Sequence, residues 1–275
     1  MSRILVVADN PPLTEMIEKT LGGDGHSVVQ APDAQRGVAV LAEQPVDLVI
    51  GDLALQENAV AFLERLRRDH ENAKCIMMSG DETSDTVIGA LRGHVCALLT
   101  KPFTAAELRA SVNVSLARCP AAGIEVVSAR TDWVELLIPC DLADVPPLEQ
   151  LLGRLDADLP EDMREAIAYA FREMLSNAIE HGCNLDPAKR VQVSYVRFRR
   201  AIICSIKDPG EGFDPARLEH AAVSNPGDDP VHHLMVREEK GLRPGGFGIL
   251  MTNQMVDELV YNERHNELMF IKYLP

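Results

Sequence analysis

Short apolar runs alternate with amphipathic stretches five times in the first 118 residues, and that rhythm leaves few folds open. The runs RILVVAD (3–9), SVV (27–29), VDLVIGD (46–52), KCIMMSG (74–80) and VCALLT (95–100) read as buried strands. Between and after them, PLTEMIEKTLG, APDAQRGVAVLAEQ, AVAFLERLRRDH, DETSDTVIGALRG and TAAELRASVNVSLARC carry apolar residues at helical spacing. Pro32 and Thr104 stand where helices are expected to start, Gly22 and Gly93 where they are expected to stop. Five strand–helix units predict an α/β doubly wound parallel sheet, whose chemistry belongs at the carboxyl ends of the strands.

The pattern breaks at CPAAG (119–123), which reads as a linker between a domain at 1–118 and a second at 124–275. The second half opens with strand-like IEVVSA and WVELLIP and a Pro-flanked helix around 144–156. A long helix containing EMLSNAIEHG comes next, then strands at 191–198 and 201–208, a helix from about 246 to 259 and a closing strand ELMFIKYL. Helices beside an antiparallel sheet predict an α+β two-layer domain. No internal repeat is present.

The net charge of -15 argues against a nucleic-acid partner held by general electrostatics. The longest apolar runs are too short to cross a bilayer, and the amino terminus enters a strand-like run at once, so a soluble, cytoplasmic protein without a membrane partner is expected. The six cysteines (75, 96, 119, 140, 183, 204) form no C-x-x-C pair. That spacing argues against a zinc site and a disulfide framework, and for a reducing compartment. The basic stretch RFRR (197–200) falls between two strands and reads as a hairpin turn. His232 and His233 have no third metal ligand near them in the sequence.

Asp9 and Asp52 close the first and third predicted strands, so both carboxylates would converge on one sheet edge. Two close acids suit a hard divalent cation such as Mg²⁺, which binds a few carboxylates and keeps its waters. Ser79 closes the fourth strand, and Lys101, followed by Pro102, the fifth. Carboxylate, hydroxyl and ammonium at four strand ends, in this order, resemble the receiver domain of bacterial response regulators, with its five-stranded flavodoxin-like fold. The resemblance implies Asp52 as phosphoacceptor, Asp9 and Asp52 as metal ligands, and Ser79 and Lys101 as the switch hydroxyl and phosphate-pairing lysine. It also implies an upstream sensor histidine kinase. Ala8 stands where such domains carry a second acid, and Leu98 where they carry an aromatic residue.

Glu173, Asn177 and His181 recur at four-residue spacing and so share one stripe of a helix, beside an apolar stripe of Ile167, Ala170, Phe171, Met174 and Ala178. Alone, such a trio is either a solvated stripe or the edge of a cleft. Downstream, KDPGEGFD (207–214) places Asp208, Gly210 and Gly212 at a strand end. Then RPGGFGILMTNQMVDEL places Gly245, Gly246 and Gly248 before a helix. Each pattern alone also fits an ordinary turn or loop. Residues 215–244, rich in Pro and Gly, read as either a disordered connection or a lid.

Together the order E-x-x-x-N, D-x-G-x-G, long connection and G-G-x-G resembles the GHKL (Bergerat-type) ATP-binding superfamily, and within it the anti-sigma factor serine/threonine kinases. The resemblance implies ATP and Mg²⁺ as cofactors, with Asn177 on the metal and Glu173 orienting or deprotonating the attacking hydroxyl. Asp208 would read the adenine amine, with Gly210 and Gly212 beneath the base and Gly246 and Gly248 at the phosphates. His181 either touches the cleft or caps the helix end at Gly182, and the cap is the favoured role. An anti-anti-sigma-like protein substrate, a sigma factor as further client and a homodimer are the implied partners. Three other readings compete: an ATP-gated binding module without phosphotransfer, a histidine-kinase-like ATPase, and a receiver that serves only for dimerisation. The second needs a phosphoacceptor histidine before the ATP domain, yet none lies between His94 and His181.

Overall fold

The computed structural model divides into two compact units, Met1–Gly123 and Ile124–Pro275. The residues it describes are 1–52, 62, 66, 68, 74–80, 83–117, 119, 123–212, 235, 238–239 and 247–275. Most of the helix expected at 59–70, most of the connection 215–244, and His232, His233 and Gly246 therefore lie outside the described residues.

In the first unit the order is β1 (Arg3–Val7), α1 (Pro11–Gly23), β2 (Ser27–Ala31), α2 (Ala34–Glu43), β3 (Leu48–Asp52), β4 (Lys74–Ser79), α3 (Ser84–Arg92), β5 (Ala97–Thr100) and α4 (Ala105–Ala117). The five strands form one parallel sheet in the order β2-β1-β3-β4-β5. A parallel sheet covered on both faces has continuously apolar strands, and every residue of β3 is buried. Leu5, Val7, Val49 and Met77 face one core layer; Ile4, Val6, Ile50 and Met78 face the other. Helix starts are set by side chains. Asn10, Asp33 and Thr83 each accept a backbone N–H of the following turn. Thr104 and Glu107 form a reciprocal capping box, with Thr104 N–H on Glu107 at 2.7 Å and Glu107 N–H on Thr104 at 3.2 Å. β1 ends at Val7, so Asp9 lies two residues past the strand rather than in it.

The second unit comprises β6 (Glu125–Arg130), β7 (Trp133–Pro139), α5 (Val145–Gly153), α6 (Glu161–Asn177), β8 (Arg190–Arg197), β9 (Ala201–Lys207), α7 (Gly248–Met255), β10 (Glu258–Tyr261) and β11 (Glu267–Tyr273). Its six strands are antiparallel in the order β10-β11-β9-β8-β7-β6. Burial alternates along β7, β8 and β9, as a sheet with one covered face requires. Phe171, Met174 and Leu175 of α6 are buried with the inward residues Leu136, Val193 and Ile206. The expected helix at 246–259 stops at Met255. Glu258–Tyr261 instead pairs with β11, because Leu259↔Phe270 and Tyr261↔Leu268 close the sheet. Arg197 ends β8 and residues 198–200 form its turn into β9.

Two disulfides join Cys96 to Cys119 and Cys140 to Cys183, while Cys75 and Cys204 are buried outside any disulfide. This corrects the expectation of unpaired thiols. Partners 23 and 43 residues apart meet through the fold, which spacing in the chain does not reveal. No described helix is long and apolar enough to cross a membrane.

Candidate functional site

In the first unit, parallel register brings the strand ends together. Asp52 lies level with Met78, and Ser79 with Thr100, so Asp52, Ser79 and Lys101 share one sheet edge. Lys101 Nζ donates to both carboxylate oxygens of Asp52 at 2.8 Å. The Asp52 side chain is only 3 % exposed, against 24 % for Lys101. The backbone N–H of Lys101 donates to the Ser79 carbonyl at 2.7 Å, which ties the β5 exit to the β4 end. Asp9 is exposed past the end of β1, and Leu98 is buried. A buried carboxylate held by one ammonium is a confined nucleophile with a cation in place for incoming phosphoryl oxygens. A hard cation such as Mg²⁺ keeps most of its waters and needs few carboxylates, so acids of the kind of Asp9 and Asp52 suit it by their chemistry. Among the described residues there is no cluster of three or more His, Cys, Asp or Glu side chains suited to a metal.

The second unit brings the end of α6 against the β9 exit and against the start of α7. Glu173 and Asn177 are half-buried, one turn apart on α6. Past Asn177 the helix widens into π geometry over Ala178–Gly182, a distortion frequent at functional sites. It brings Gly182 directly against the Asp208 carboxyl, where a Cβ would overlap Asp208. Gly210 donates its N–H to Asp208 Oδ1 at 2.8 Å. A Cβ at Gly210 would stand 2.8 Å from the Gly182 carbonyl, so these two glycines permit the close approach around Asp208. Gly212 has φ +85° and lies against the Arg264 carbonyl, a conformation and a contact that suit only glycine. Burial holds the Asp208 carboxyl above its ordinary range, opposed by the Gly210 N–H and by Lys189.

Glu173 reaches the first residue of α7. A Cβ on Gly248 would stand 2.5 Å from Glu173 Oε2. Backbone N–H groups at a helix start favour anions, so a carboxylate lies where phosphates could be held. Arg172 pairs with Glu149 at 3.0 Å and stacks on Tyr169 at 5.4 Å, which anchors this part of α6. Glu173, Gly248, Asn177, Asp208, Gly210 and Gly212 thus fall along the π-widened end of α6 and the two segments near it. Gly246 lies outside the described residues. His181 lies in the last turn of the π segment, its side chain 71 % exposed and 4.0 Å from Glu180.

Three residues escaped the sequence reading. Gly182 was legible only as a helix stop. Asn266 grips the 208–210 backbone from the β10–β11 turn and Asn262 holds Asn266; their one signal was two asparagines at turn spacing in YNERHNE.

Comparison with known proteins identifies a domain in each unit. Residues 4–113 match the model for a response regulator receiver domain, and 138–272 that for a histidine kinase-like ATPase domain. The chain is 33 % identical over 119 residues to the KDP operon transcriptional regulatory protein KdpE of Escherichia coli, covering 43 % of this chain and 52 % of that protein. It is 27 % identical over 236 residues to the transcriptional activator protein PfeR of Pseudomonas aeruginosa, covering 79 % and 74 %. The chain spans about half or less of the first curated relatives it matches. Among solved structures, NtrX from Brucella abortus in complex with ADP matches with 27 % identity and a TM-score of 0.40, over 42 % of this chain and 26 % of that one. A response regulator from Thermotoga maritima matches with 21 % identity and a TM-score of 0.41, over 43 % and 99 %. The chain is a response regulator in which a receiver domain is fused to a histidine-kinase-like ATPase domain of the GHKL type.

Proposed function

We propose that the receiver, residues 1–118, accepts a phosphoryl group on Asp52 from an upstream sensor histidine kinase. Through the linker 119–123 it would then control the output domain, residues 124–275. That domain uses ATP to phosphorylate a Ser or Thr of a protein partner of the anti-anti-sigma type, with a sigma factor as a further client and a homodimer as its assembly. The net charge of -15 supports a protein partner over a nucleic acid.

In the receiver, an Asp52 oxygen attacks the phosphorus of the donor phosphohistidine, the P–N bond breaks, and the imidazole leaves. Lys101, already 2.8 Å from both Asp52 oxygens, swings to the new phosphoryl oxygens, and the Ser79 hydroxyl donates to another. In the output domain, Glu173 takes the proton of the partner's hydroxyl as that oxygen attacks the γ-phosphorus. The bond to the β-phosphate oxygen breaks and ADP departs. Asp208 accepts from the adenine amine, and the backbone at Gly248 faces the phosphates. Mg²⁺, held by Asp9 and Asp52 in one domain and Asn177 in the other, would draw charge from the phosphoryl oxygens. The observation that supports this reading is the approach of Glu173 to Gly248, a carboxylate beside a helix start.

Incubation of the full chain with γ-labelled ATP, Mg²⁺ and candidate partners tests it. Label on a partner Ser or Thr, abolished in Glu173→Gln, is expected. A partner retained by ATP-loaded protein without label transfer would establish an ATP-gated binder instead. Acyl-phosphate formation from a small phosphodonor, lost in Asp52→Ala, tests the receiver half.

A further inference from the structure

The turn between β10 and β11 holds the Asp208–Gly212 loop through a closed chain of amide hydrogen bonds. Asn266 Nδ2 donates to the carbonyls of Gly210 at 3.1 Å and Asp208 at 3.3 Å, while the Asn266 carbonyl accepts the Asp208 N–H at 2.9 Å. Carbonyls only accept, so the NH₂ of Asn266 must face them and its Oδ1 must point the other way. There it accepts from Asn262 Nδ2 at 2.9 Å. That in turn leaves Asn262 Oδ1 to accept the backbone N–H groups of Asn266 at 3.1 Å and Glu267 at 3.3 Å. Each amide orientation is fixed by its neighbour. The Arg264 carbonyl against Gly212 extends the same support to the far end of the loop.

We infer that Asn266, backed by Asn262, is a positioning residue that aims Asp208 at a 6-amino purine and so sets the discrimination between adenine and 6-oxo bases. The inference rests on the reading of Asp208 as the base-recognising acid. Oδ1 of Asp208 already accepts the Gly210 N–H, so one oxygen remains for an exocyclic amine. Its direction depends on the backbone from 208 to 210. Both carbonyls that Asn266 holds belong to that segment, one of them to Asp208 itself. Asn266→Asp keeps size and shape but sets carboxylate oxygens against two carbonyls, which releases the loop.

The test is titration of the full chain, with Mg²⁺, by ATP and by inosine triphosphate, which replaces the 6-amine with an oxo group. The expected result for Asn266→Asp is a Kd for ATP raised about tenfold toward that for inosine triphosphate, with the latter moved by less than about twofold. Asn262→Ser, which keeps an acceptor for the turn N–H groups, is expected to narrow the ratio in the same sense by a smaller factor. It serves as the reporter where Asn266→Asp does not fold. Kd values that rise in parallel for both nucleotides, or an unchanged ratio, overturn the assignment, because a structural support alone weakens both alike. Asp208→Asn separates the levels. Discrimination lost there but kept in Asn266→Asp removes the Asn266 role alone; discrimination kept in Asp208→Asn removes the base-reading role of Asp208 and this inference with it.

Discussion

Gly248 and Glu173 approach so closely that a methyl group on the glycine would stand 2.5 Å from the glutamate Oε2. Glu173 is the flexible member of that contact, so Gly248→Ala should be absorbed by displacement of the carboxylate rather than by unfolding. Stability is expected to change by less than about 1 kcal/mol in urea titration. On the proposed mechanism, ATP turnover, followed by phosphate release, should fall about tenfold or more, because a base moved by an ångström loses its alignment. Unchanged turnover would mean that the resting position of Glu173 has no bearing on the chemistry.

The Asp52–Lys101 pair is asymmetric. Its carboxylate is buried, whereas the lysine retains access to solvent. Lys101→Ala leaves a buried carboxylate without its cation and should destabilise the receiver by about 3 kcal/mol. Asp52→Ala lets the ammonium turn to water and should cost about 1 kcal/mol or less. Chemical denaturation of the two variants side by side checks the order; equal losses would contradict it.

The receiver was more legible in the sequence than the ATP-binding half, for physical reasons. Parallel strands buried on both faces are written as unbroken apolar runs, and Leu48–Asp52 could be read at sight. Strand ends could then be placed to within about two residues, enough to gather Asp52, Ser79 and Lys101. In the second domain, α6 was clear from its apolar stripe. The chain beyond α7 was not, because the segment Glu258–Tyr261 becomes a strand only by pairing with β11. The grip of Asn266 on Asp208 and Gly210 joins residues 58 and 56 positions apart, and no local pattern encodes it. The disulfide partners were hidden for the same reason.

The Cys140–Cys183 disulfide lies next to the residues around Asp208. Cys183 directly follows Gly182, the residue packed on Asp208, so this cross-link ties the end of α6 to the exit of β7. Thiol titration of the unreduced, denatured chain should find only Cys75 and Cys204 reactive, and all six cysteines after reduction. Closing a loop of 43 residues stabilises by about 3–4 kcal/mol in the chain-entropy description. Cys140→Ser should therefore lower the denaturation midpoint. Six reactive thiols in the unreduced chain would show that the cross-links do not form.

Asp156, just past α5 and 1 % exposed, should make stability depend on pH. Burial pushes its carboxyl up to about 6, against the opposing pull of the Tyr195 hydroxyl, which donates to it, and of Arg197 at 3.6 Å. Arg197 is itself committed to Asp158 through two bonds at 2.7 and 2.8 Å, and the Asp158 charge raises the Asp156 value further. Cys204 lines the same small cavity as Asp156 and Tyr195, with Glu149 and Arg164 at its helical wall. The folded value lies above the unfolded one of 3.8, so the native state holds a proton that the unfolded chain has released. The contribution of Asp156 is therefore fully present below about pH 4 and is lost as pH rises through about 6, a change of about 3 kcal/mol. Asn at this position keeps an acceptor for Tyr195 and carries no charge. Asp156→Asn should thus be more stable than the parent protein at pH 8, with the gap closing as pH falls toward 4. Urea midpoints measured from pH 4 to 8 decide it, since a variant that is less stable at pH 8 would mean that the ionised pair with Arg197 outweighs the cost of burial.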